Sequence, residues 1–174
     1  QAPNTGSRKS WAVGDATSRA VNLAFMAVKG EVGYLSVLTA KKFGFYDALF
    51  KGNSFNFQRS YGNYVIENVK FKSAPCGIHA KSAVECAFKL HPLVKDRLGE
   101  IDAITITSHR KLMGIMDKRG PLNNPADRDH CVQYVVAVGL LYGRIMASDF
   151  EDGFAGDPRI DPLRAKMSVV EDPR

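Results

Sequence analysis

Apolar side chains recur at helical spacing in several stretches of the chain. The first predicted helix runs from about Ser7 to Lys29, with Ser7 as its N-cap and Gly30 at its end. A second helix is expected from about His79 to Leu93, where Pro92 marks the end. These two segments are the clearest amphipathic stretches of the sequence.

A third helix is expected to begin with Asn124 as its N-cap and Pro125 in its first turn. It should continue to about Tyr142. Because residues 132–142 are almost wholly apolar, this helix should be buried on most of its sides.

Strands are expected where β-branched residues cluster or alternate with polar ones. Residues 64–72 are rich in β-branched side chains, and residues 101–107 alternate Ile and Thr. A short strand at 168–170 is also expected. The predicted short helices are 36–40, 45–50, 112–116 and 157–167. Because helices and strands mix without the glycine-rich turn of a βαβ unit, the sequence predicts the α+β class.

Composition fits a globular domain that binds a small anion. The chain has 174 residues, of which 45% are hydrophobic, and a formal net charge of +6. Excess positive charge suits nucleic acid, an acidic membrane surface or a small polyanion. The basic residues are scattered and form neither a run nor an arm, so the charge favours a small anion and gives little support to nucleic acid.

Neither a membrane segment nor a cysteine-based metal site is indicated. No apolar run is long enough to span a bilayer, and no stretch has the order of a secretory signal. The chain starts without Met, which is compatible with processing, truncation or a missing upstream domain. Cys76, Cys86 and Cys131 form an odd set without CxxC, which disfavours disulfides, zinc and iron–sulfur clusters and suggests a reducing compartment.

Three groups of polar residues are candidates for chemistry. Arg8 and Lys9 lie at a helix start, where a lysine and backbone N–H groups can converge on a carboxylate; solvated charge is the alternative. Lys72 and His79 flank the turn 75–77, a strand–helix junction typical of ligand sites, although a lone histidine is more often structural.

The third group lies in the string GPLNNPADRDH, just ahead of the apolar helix. Helix capping explains Asn124, but it does not explain Arg128 and His130, for which function and structure are equally good interpretations. The residues alone therefore support only a soluble α+β domain with a possible cleft for a carboxylate.

Four strings carry a specific resemblance: NTGSRKSWAVGDATSRAV, LTAKKFGFYDALFKG, FNFQRSYGNYVIENVKFK and DKRGPLNNPADRDHCVQY. They resemble the 2-methylcitrate dehydratase family of the MmgE/PrpD superfamily, over essentially the whole chain. The resemblance implies a hydro-lyase that needs no metal and no cofactor and commonly forms a homodimer.

The resemblance also implies two domains, a large all-helical one and a smaller α+β lid. On this basis residues 1–50 would be the C-terminal helices of the large domain, and residues 51–174 an incomplete lid. The N-terminal helical region of the family would be missing, so the fragment alone is expected to be inactive. The compartment would be the cytoplasm in a bacterium and the mitochondrial matrix in a fungus.

Site residues carry over by position. Lys9 matches an active-site lysine in the pattern Lys-x-x-x-x-Gly-x-Ala, and Lys72 matches a second one, three residues before a proline. Relatives have a functional histidine at position 77, where this chain has glycine; His79 is the nearest candidate. His130 matches a histidine ahead of a Gln-Tyr pair, without an assigned role.

The implied reaction is dehydration of 2-methylcitrate to 2-methyl-cis-aconitate, a step of propionate catabolism. Lys9 and His79 would be catalytic, while Lys72, Arg128 and His130 would bind the substrate. The alternatives are decarboxylation or dehydration of a related tricarboxylate such as cis-aconitate or citrate, a folded fragment without catalysis, and, supported only by charge, a nucleic-acid-binding module. Neither nucleic acid nor a membrane is expected as a partner.

Overall fold

A computed structural model describes residues 8–51, 53, 59, 62 and 64–172 of the chain, with the side chains of residues 8–10, 64 and 65 left out. The chain divides into two compact units, one of residues 13–70 and one made mainly of residues 71–174. The predicted boundary between residues 50 and 51 stays a prediction. No helix of the described residues has both the length and the apolar character that crossing a membrane requires.

The first unit is helical in its described part. Helix α1 (Arg8–Val28) confirms the first predicted helix, and Gly30 follows it with a φ of +93°. Helix α2 (Phe45–Phe50) also confirms its prediction, whereas residues 35–39 form turns instead of the expected helix. The apolar face predicted for α1 is largely exposed, since Phe25 is 63% accessible.

The strand predicted over residues 64–72 is wrong. The chain instead forms the short helix α3 (Tyr64–Glu67) and then runs without regular structure to residue 72. A strand needs a partner for its backbone groups, and among the described residues only the two strands of the second unit pair. The β-branched residues of this segment favour a strand locally, but this preference does not decide the structure without a partner strand.

The second unit contains the remaining regular elements of the described chain. Its helices are α4 (Lys81–Val94), α5 (Arg110–Met116), α6 (Pro125–Arg128), α7 (Val132–Tyr142), α8 (Asp152–Ala155) and α9 (Ile160–Ala165), and its strands are β1 (Ile104–Ser108) and β2 (Met167–Glu171). Short 3₁₀ turns occur at Ile78–Ala80, Leu98–Glu100 and Ala147–Phe150.

Both expected strands of this unit are confirmed, and they pair in parallel. Ile104 is opposite Met167 and Ser108 is opposite Glu171. Ile106 is buried while Thr105 and Thr107 are exposed, as the alternation predicted. The mixture of helices with a small two-stranded sheet agrees with the predicted α+β class.

Helix α7 is the centre of the core. Every residue from Val132 to Leu141 is buried, and both α4 and α9 pack against it. The surrounding core residues are Val84, Ala87, Ile106, Leu112, Met116, Ile160, Leu163, Met167 and Val169. The prediction of a helix buried on most sides is confirmed.

The predicted single helix from residue 124 to 142 is in fact two. The Asn124 side chain caps α6 by accepting the Asp127 N–H at 3.0 Å, as expected. The helix is then interrupted, because the carbonyl of Asp129 accepts the N–H of Gly77 at 2.9 Å. A continuous helix would direct that carbonyl to the N–H of residue 133.

The second predicted helix is extended at both ends. It begins with the 3₁₀ turn Ile78–Ala80, and α4 continues past Pro92 to Val94. The expected end at about Leu93 is therefore early by one residue. Proline removes a single backbone donor, and the N–H of Lys95 still reaches the carbonyl of His91 at 2.9 Å.

Close packing of α4 on α7 depends on Gly139. A Cβ atom built at that position would lie 2.8 Å from the Cβ of Ala87 and 3.4 Å from the ring of Phe88. Ala87 Cβ is fixed to the helix backbone, so the two helices would have to separate. We expect Gly139→Ala to lower the free energy of unfolding by about 1–3 kcal/mol, measured by chemical denaturation.

The matched control for this substitution is Gly153→Ala. A Cβ at Gly153 meets nothing within 4 Å. That variant should be neutral or gain about 0.4–1 kcal/mol, since alanine restricts the unfolded chain. Equal behaviour of the two variants would contradict the packing argument.

An ionic cluster fixes the chain beyond α7. Asp157 accepts hydrogen bonds from the Arg159 side chain at 2.7 and 3.0 Å and from the Tyr142 hydroxyl, and the guanidinium lies 5.4 Å from the centre of the Tyr142 ring. The bonds from Arg159 hold the pKa of Asp157 well below its usual range, although burial opposes them.

This lowered pKa makes the stabilisation by Asp157 pH-dependent. A carboxyl whose pKa is lower in the folded state stabilises the fold above its unfolded pKa and stops doing so as the pH falls through the folded one. Asp157→Asn should therefore reduce the melting temperature most at neutral pH, and the difference should shrink in strong acid. Calorimetry over a pH series checks this, with exposed Asp102→Asn as the control; a constant difference would refute it.

Candidate active site

The turn from Lys72 to Gly77 is closed by its own lysine. Lys72 Nζ donates to the carbonyl of Cys76 at 2.9 Å, and the Cys76 N–H donates to the carbonyl of Ala74 at 2.9 Å. Cys76 and Gly77 are buried, whereas Lys72 is exposed. The hydrogen bond therefore holds the ammonium group at the surface in one place.

A second hydrogen bond joins this turn to the residues ahead of α7. The Gly77 N–H donates to the Asp129 carbonyl at 2.9 Å. A Cβ at position 77 would lie 2.7 Å from the sulfur of Met116 and 3.4 Å from Cδ2 of His130. A larger residue at this position would require the end of the Met116 side chain to move, whereas glycine lets the turn of Lys72 lie against the loop of His130 without that shift.

The family resemblance predicts a histidine at position 77, where this chain has glycine. The ring that lies beside this position is that of His130, which comes from a distant part of the sequence. His79 follows two residues later, on the 3₁₀ turn Ile78–Ala80. Two of the predicted histidines thus flank Gly77, one in space and one in sequence.

His130 is oriented by the carboxylate of its neighbour. Its Nδ1 lies 2.5 Å from Oδ1 of Asp129, and its side chain is 13% exposed. An ionised carboxylate only accepts hydrogen bonds, so Nδ1 carries the proton. In the neutral imidazole Nε2 is then the basic nitrogen.

A further histidine lies close to His79. The rings of His79 and His109 are 5.1 Å apart at 65°, and His109 immediately precedes α5. Sequence analysis missed His109 and did not single out Asp129. The position of His109 between a strand and a helix is the one feature that pointed to it, because ligand-binding groups are frequent at such junctions.

The buried cysteine of the turn is a neutral thiol. Burial raises the pKa of Cys76 to about 11. The positive charge of Lys72 lowers this pKa in part, and the negative charge of Asp129 raises it further. Burial also raises the pKa of Cys131. Neither sulfur is a thiolate nucleophile at neutral pH.

Arg128 lies in the same loop, but its guanidinium is bonded to protein groups. Nη1 donates to the Phe150 carbonyl at 2.6 Å and pairs with Asp152 at 2.7 Å, while Nη2 lies 3.4 Å from the Leu122 carbonyl. The residue is buried, with 6% exposure. These contacts connect the loop to the segment after α7, and the predicted role in substrate binding remains a prediction.

Lys9 lies in the first turn of α1, and its side chain is outside the described part of the structure. Its predicted catalytic role thus rests on the resemblance alone. Within the described residues, no three His, Cys, Asp or Glu side chains form a group that could hold a metal ion.

Comparison with known proteins shows which family models and which enzymes this chain resembles. A family model of the MmgE/PrpD N-terminal domain matches residues 1–58, and one of the C-terminal domain matches residues 74–174. The chain is 60% identical to a 2-methylcitrate dehydratase of Cupriavidus necator and 58% identical to one of Salmonella typhimurium, each over 99% of this chain. It is also 58% identical, over 99% of its length, to a mitochondrial 2-methylcitrate dehydratase of Yarrowia lipolytica.

The chain is much shorter than these relatives. It spans 36% of each of the two bacterial proteins and 34% of the yeast protein. The identities therefore refer to about a third of each relative.

The contact between Asp129 and His130 predicts a tautomer that can be measured. Neutral His130 should carry its proton on Nδ1, and Asp129→Ala should shift it toward Nε2, because the acceptor at Nδ1 is removed. The ¹⁵N shifts of the imidazole nitrogens report this directly. His91, whose Nδ1 lies 2.8 Å from the Leu140 carbonyl, is the internal control and should be unchanged; an unaltered His130 tautomer would contradict the assignment.

Proposed function

We propose a function for this chain on the ground that it belongs to the MmgE/PrpD family, whose domain models match residues 1–58 and 74–174. The function is that of 2-methylcitrate dehydratase, exercised by a protein of which this chain forms part. The observation that carries the proposal is 60% identity to a 2-methylcitrate dehydratase over 99% of this chain. The reaction is elimination of water from 2-methylcitrate to give 2-methyl-cis-aconitate.

The reaction explains why cations and histidines are needed together. A base must remove a proton from the carbon beside a carboxylate, and negative charge then builds up on that carboxylate. A cation fixed in advance at this point stabilises the transition state. Lys72 is the proposed cation, since its hydrogen bond to the Cys76 carbonyl already holds it at the surface.

The histidines supply groups for proton transfer. We assign His79 as base or acid, because the leaving hydroxyl needs a proton and the carbon must lose one, and an imidazole can do either near neutral pH. His130, whose Nδ1 is held by Asp129 at 2.5 Å, is proposed to bind the substrate. Asp129 is a positioning residue in this scheme.

Two further assignments rest on resemblance. Lys9 is proposed as a catalytic residue from its sequence pattern. Arg128 is proposed as a substrate-binding residue. A substrate carboxylate would replace Asp152, whose side chain is 82% exposed, as the partner of the guanidinium. The hydrogen bond to the Phe150 carbonyl would remain. No resident metal or cofactor takes part in the proposed reaction.

The architecture is proposed to follow the family as well. Residues 51–174 would belong to a lid that closes on a large helical domain, to which residues 1–50 would contribute. A homodimer and a small tricarboxylate substrate complete the proposal. The compartment would be cytoplasmic in a bacterium and mitochondrial in a fungus, as the name of the Yarrowia lipolytica relative indicates for that protein.

Substitution of Lys72 tests the proposal. In the full-length enzyme, Lys72→Ala should lower turnover of 2-methylcitrate by more than about tenfold, because a preorganised charge at the substrate carboxylate is lost. Ultraviolet absorbance of the unsaturated product measures turnover. Lys95→Ala, which removes an exposed lysine at the end of α4, is the matched control and should keep full activity.

Three results would count against the assignment. Wild-type kinetics of Lys72→Ala would remove Lys72 from the site. Wild-type enzyme that releases CO₂ from cis-aconitate, and no water from 2-methylcitrate, would favour the decarboxylase instead. A fall in melting temperature that matches the loss of activity would show that Lys72 only supports the turn.

A further inference from the structure

A basic cavity lies beside the start of α7, where Gln133 forms part of its lining. Its volume is about 420 Å³, a size suited to a small molecule. Three cationic residues line it, Lys118, Arg119 and Arg164, together with one acidic residue, Asp161. None of the residues proposed above for the dehydratase reaction belongs to its lining.

The floor of the cavity is a connected polar network. The Gln133 side chain, with only 2% exposure, donates to Asp117 and accepts the Cys131 thiol at 3.3 Å. Asp117 pairs with Nε of Arg119 at 3.3 Å. A buried glutamine in the otherwise apolar helix α7 is thus used to hold an arginine at the cavity edge.

Lys118 pairs with Asp127 at 3.3 Å and Nη1 of Arg119 donates to the Met167 carbonyl at 2.8 Å, whereas Arg164 has one buried donor without a partner in the part of the chain that the structure describes. Nη2 donates to the Gly120 carbonyl at 3.0 Å, and Nη1 pairs with Asp161 at 2.5 Å. Its Nε is buried and has no hydrogen-bond partner among the described residues. A buried cationic donor without an acceptor is costly, and an anion that reached it would remove that cost.

The acidic partner of Arg164 is poorly shielded. Asp161 is 78% exposed, whereas the side chain of Arg164 is 11% exposed. An ion pair with one exposed partner contributes little to stability. A ligand with an oxyanion group can therefore displace Asp161 from the guanidinium with little loss to the protein.

We propose that this cavity binds a small polyanion through Arg164, Arg119 and Lys118, none of which has a role in the proposed dehydratase reaction. Arg164 and Asp161 also line a second cavity together with Arg128. The recognising chemistry is that of oxyanion groups, which guanidinium forks bind in pairs. Carboxylates and phosphates share it. The proposal does not depend on the dehydratase assignment, since it uses different residues.

Two probes, citrate and pyrophosphate, separate the possible sources of the oxyanion. Each probe is titrated by calorimetry, at constant ionic strength, into the Lys72→Ala variant of this chain. The substitution weakens binding at the proposed dehydratase site. Tighter binding of citrate indicates a carboxylate ligand, and tighter binding of pyrophosphate indicates a phosphate ligand. Either result supports the site, provided that the Arg164 Nε–H resonance shifts during the titration.

Variants of the lining decide whether binding occurs in this cavity. Arg164→Gln should weaken binding by about tenfold or more. Asp161→Asn removes an exposed competitor and should strengthen binding by a few-fold, so it tests the site without loss of a core contact. Arg19→Gln, at an exposed position in α1, is the matched control and should have no effect. Unchanged affinity in both the Arg164 and the Asp161 variants, or no binding of either probe, would overturn the proposal.

Discussion

Burial of α7 is the constraint on which the rest of the second unit depends. A helix whose residues are buried from Val132 to Leu141 needs neighbours on every side, and α4, α9 and the small sheet provide them. The approach of α4 is close because Gly139 and Ala87 meet without larger side chains. The hydrophobic effect fixes the helix, and the polar residues ahead of it are fixed along with it.

The candidate active site follows from this anchoring. Because α7 cannot shift, Asp129 and His130 occupy a defined place at its start, and the Asp129 carbonyl is available to the Gly77 N–H. That bond places the Lys72 turn beside the His130 ring. The basic cavity is anchored to the same helix, because Gln133 of α7 forms part of its lining.

Much of the fold was predictable where local pattern and final environment agree. The apolar run of α7, the Asn124 cap and the alternation in β1 each depend on neighbouring residues, and each prediction is confirmed. The break between α6 and α7 was not predictable, because it depends on a hydrogen bond from Gly77. The strand predicted at residues 64–72 failed for a related reason, since local preference does not supply a partner strand.

The residues of the candidate site could be proposed from the sequence, but their mutual contacts could not. Sequence pattern and resemblance pointed to Lys72, His79 and His130, and the structure shows which neighbours they have. The contacts of Asp129 with His130 at 2.5 Å and of His109 with His79 at 5.1 Å could not be predicted, because they depend on the fold. Gly77, where the resemblance predicts a histidine, lies beside the ring of His130, which comes from a distant part of the sequence.

The central claim is that Lys72 and His130 face one small anionic substrate. A crystal structure of the full-length protein with a non-reacting tricarboxylate bound tests this most directly. The account predicts a ligand carboxylate within hydrogen-bond distance of Lys72 Nζ, with Nε2 of His130 toward the same molecule. A tricarboxylate bound elsewhere, with Lys72 still bonded only to the Cys76 carbonyl, would contradict it.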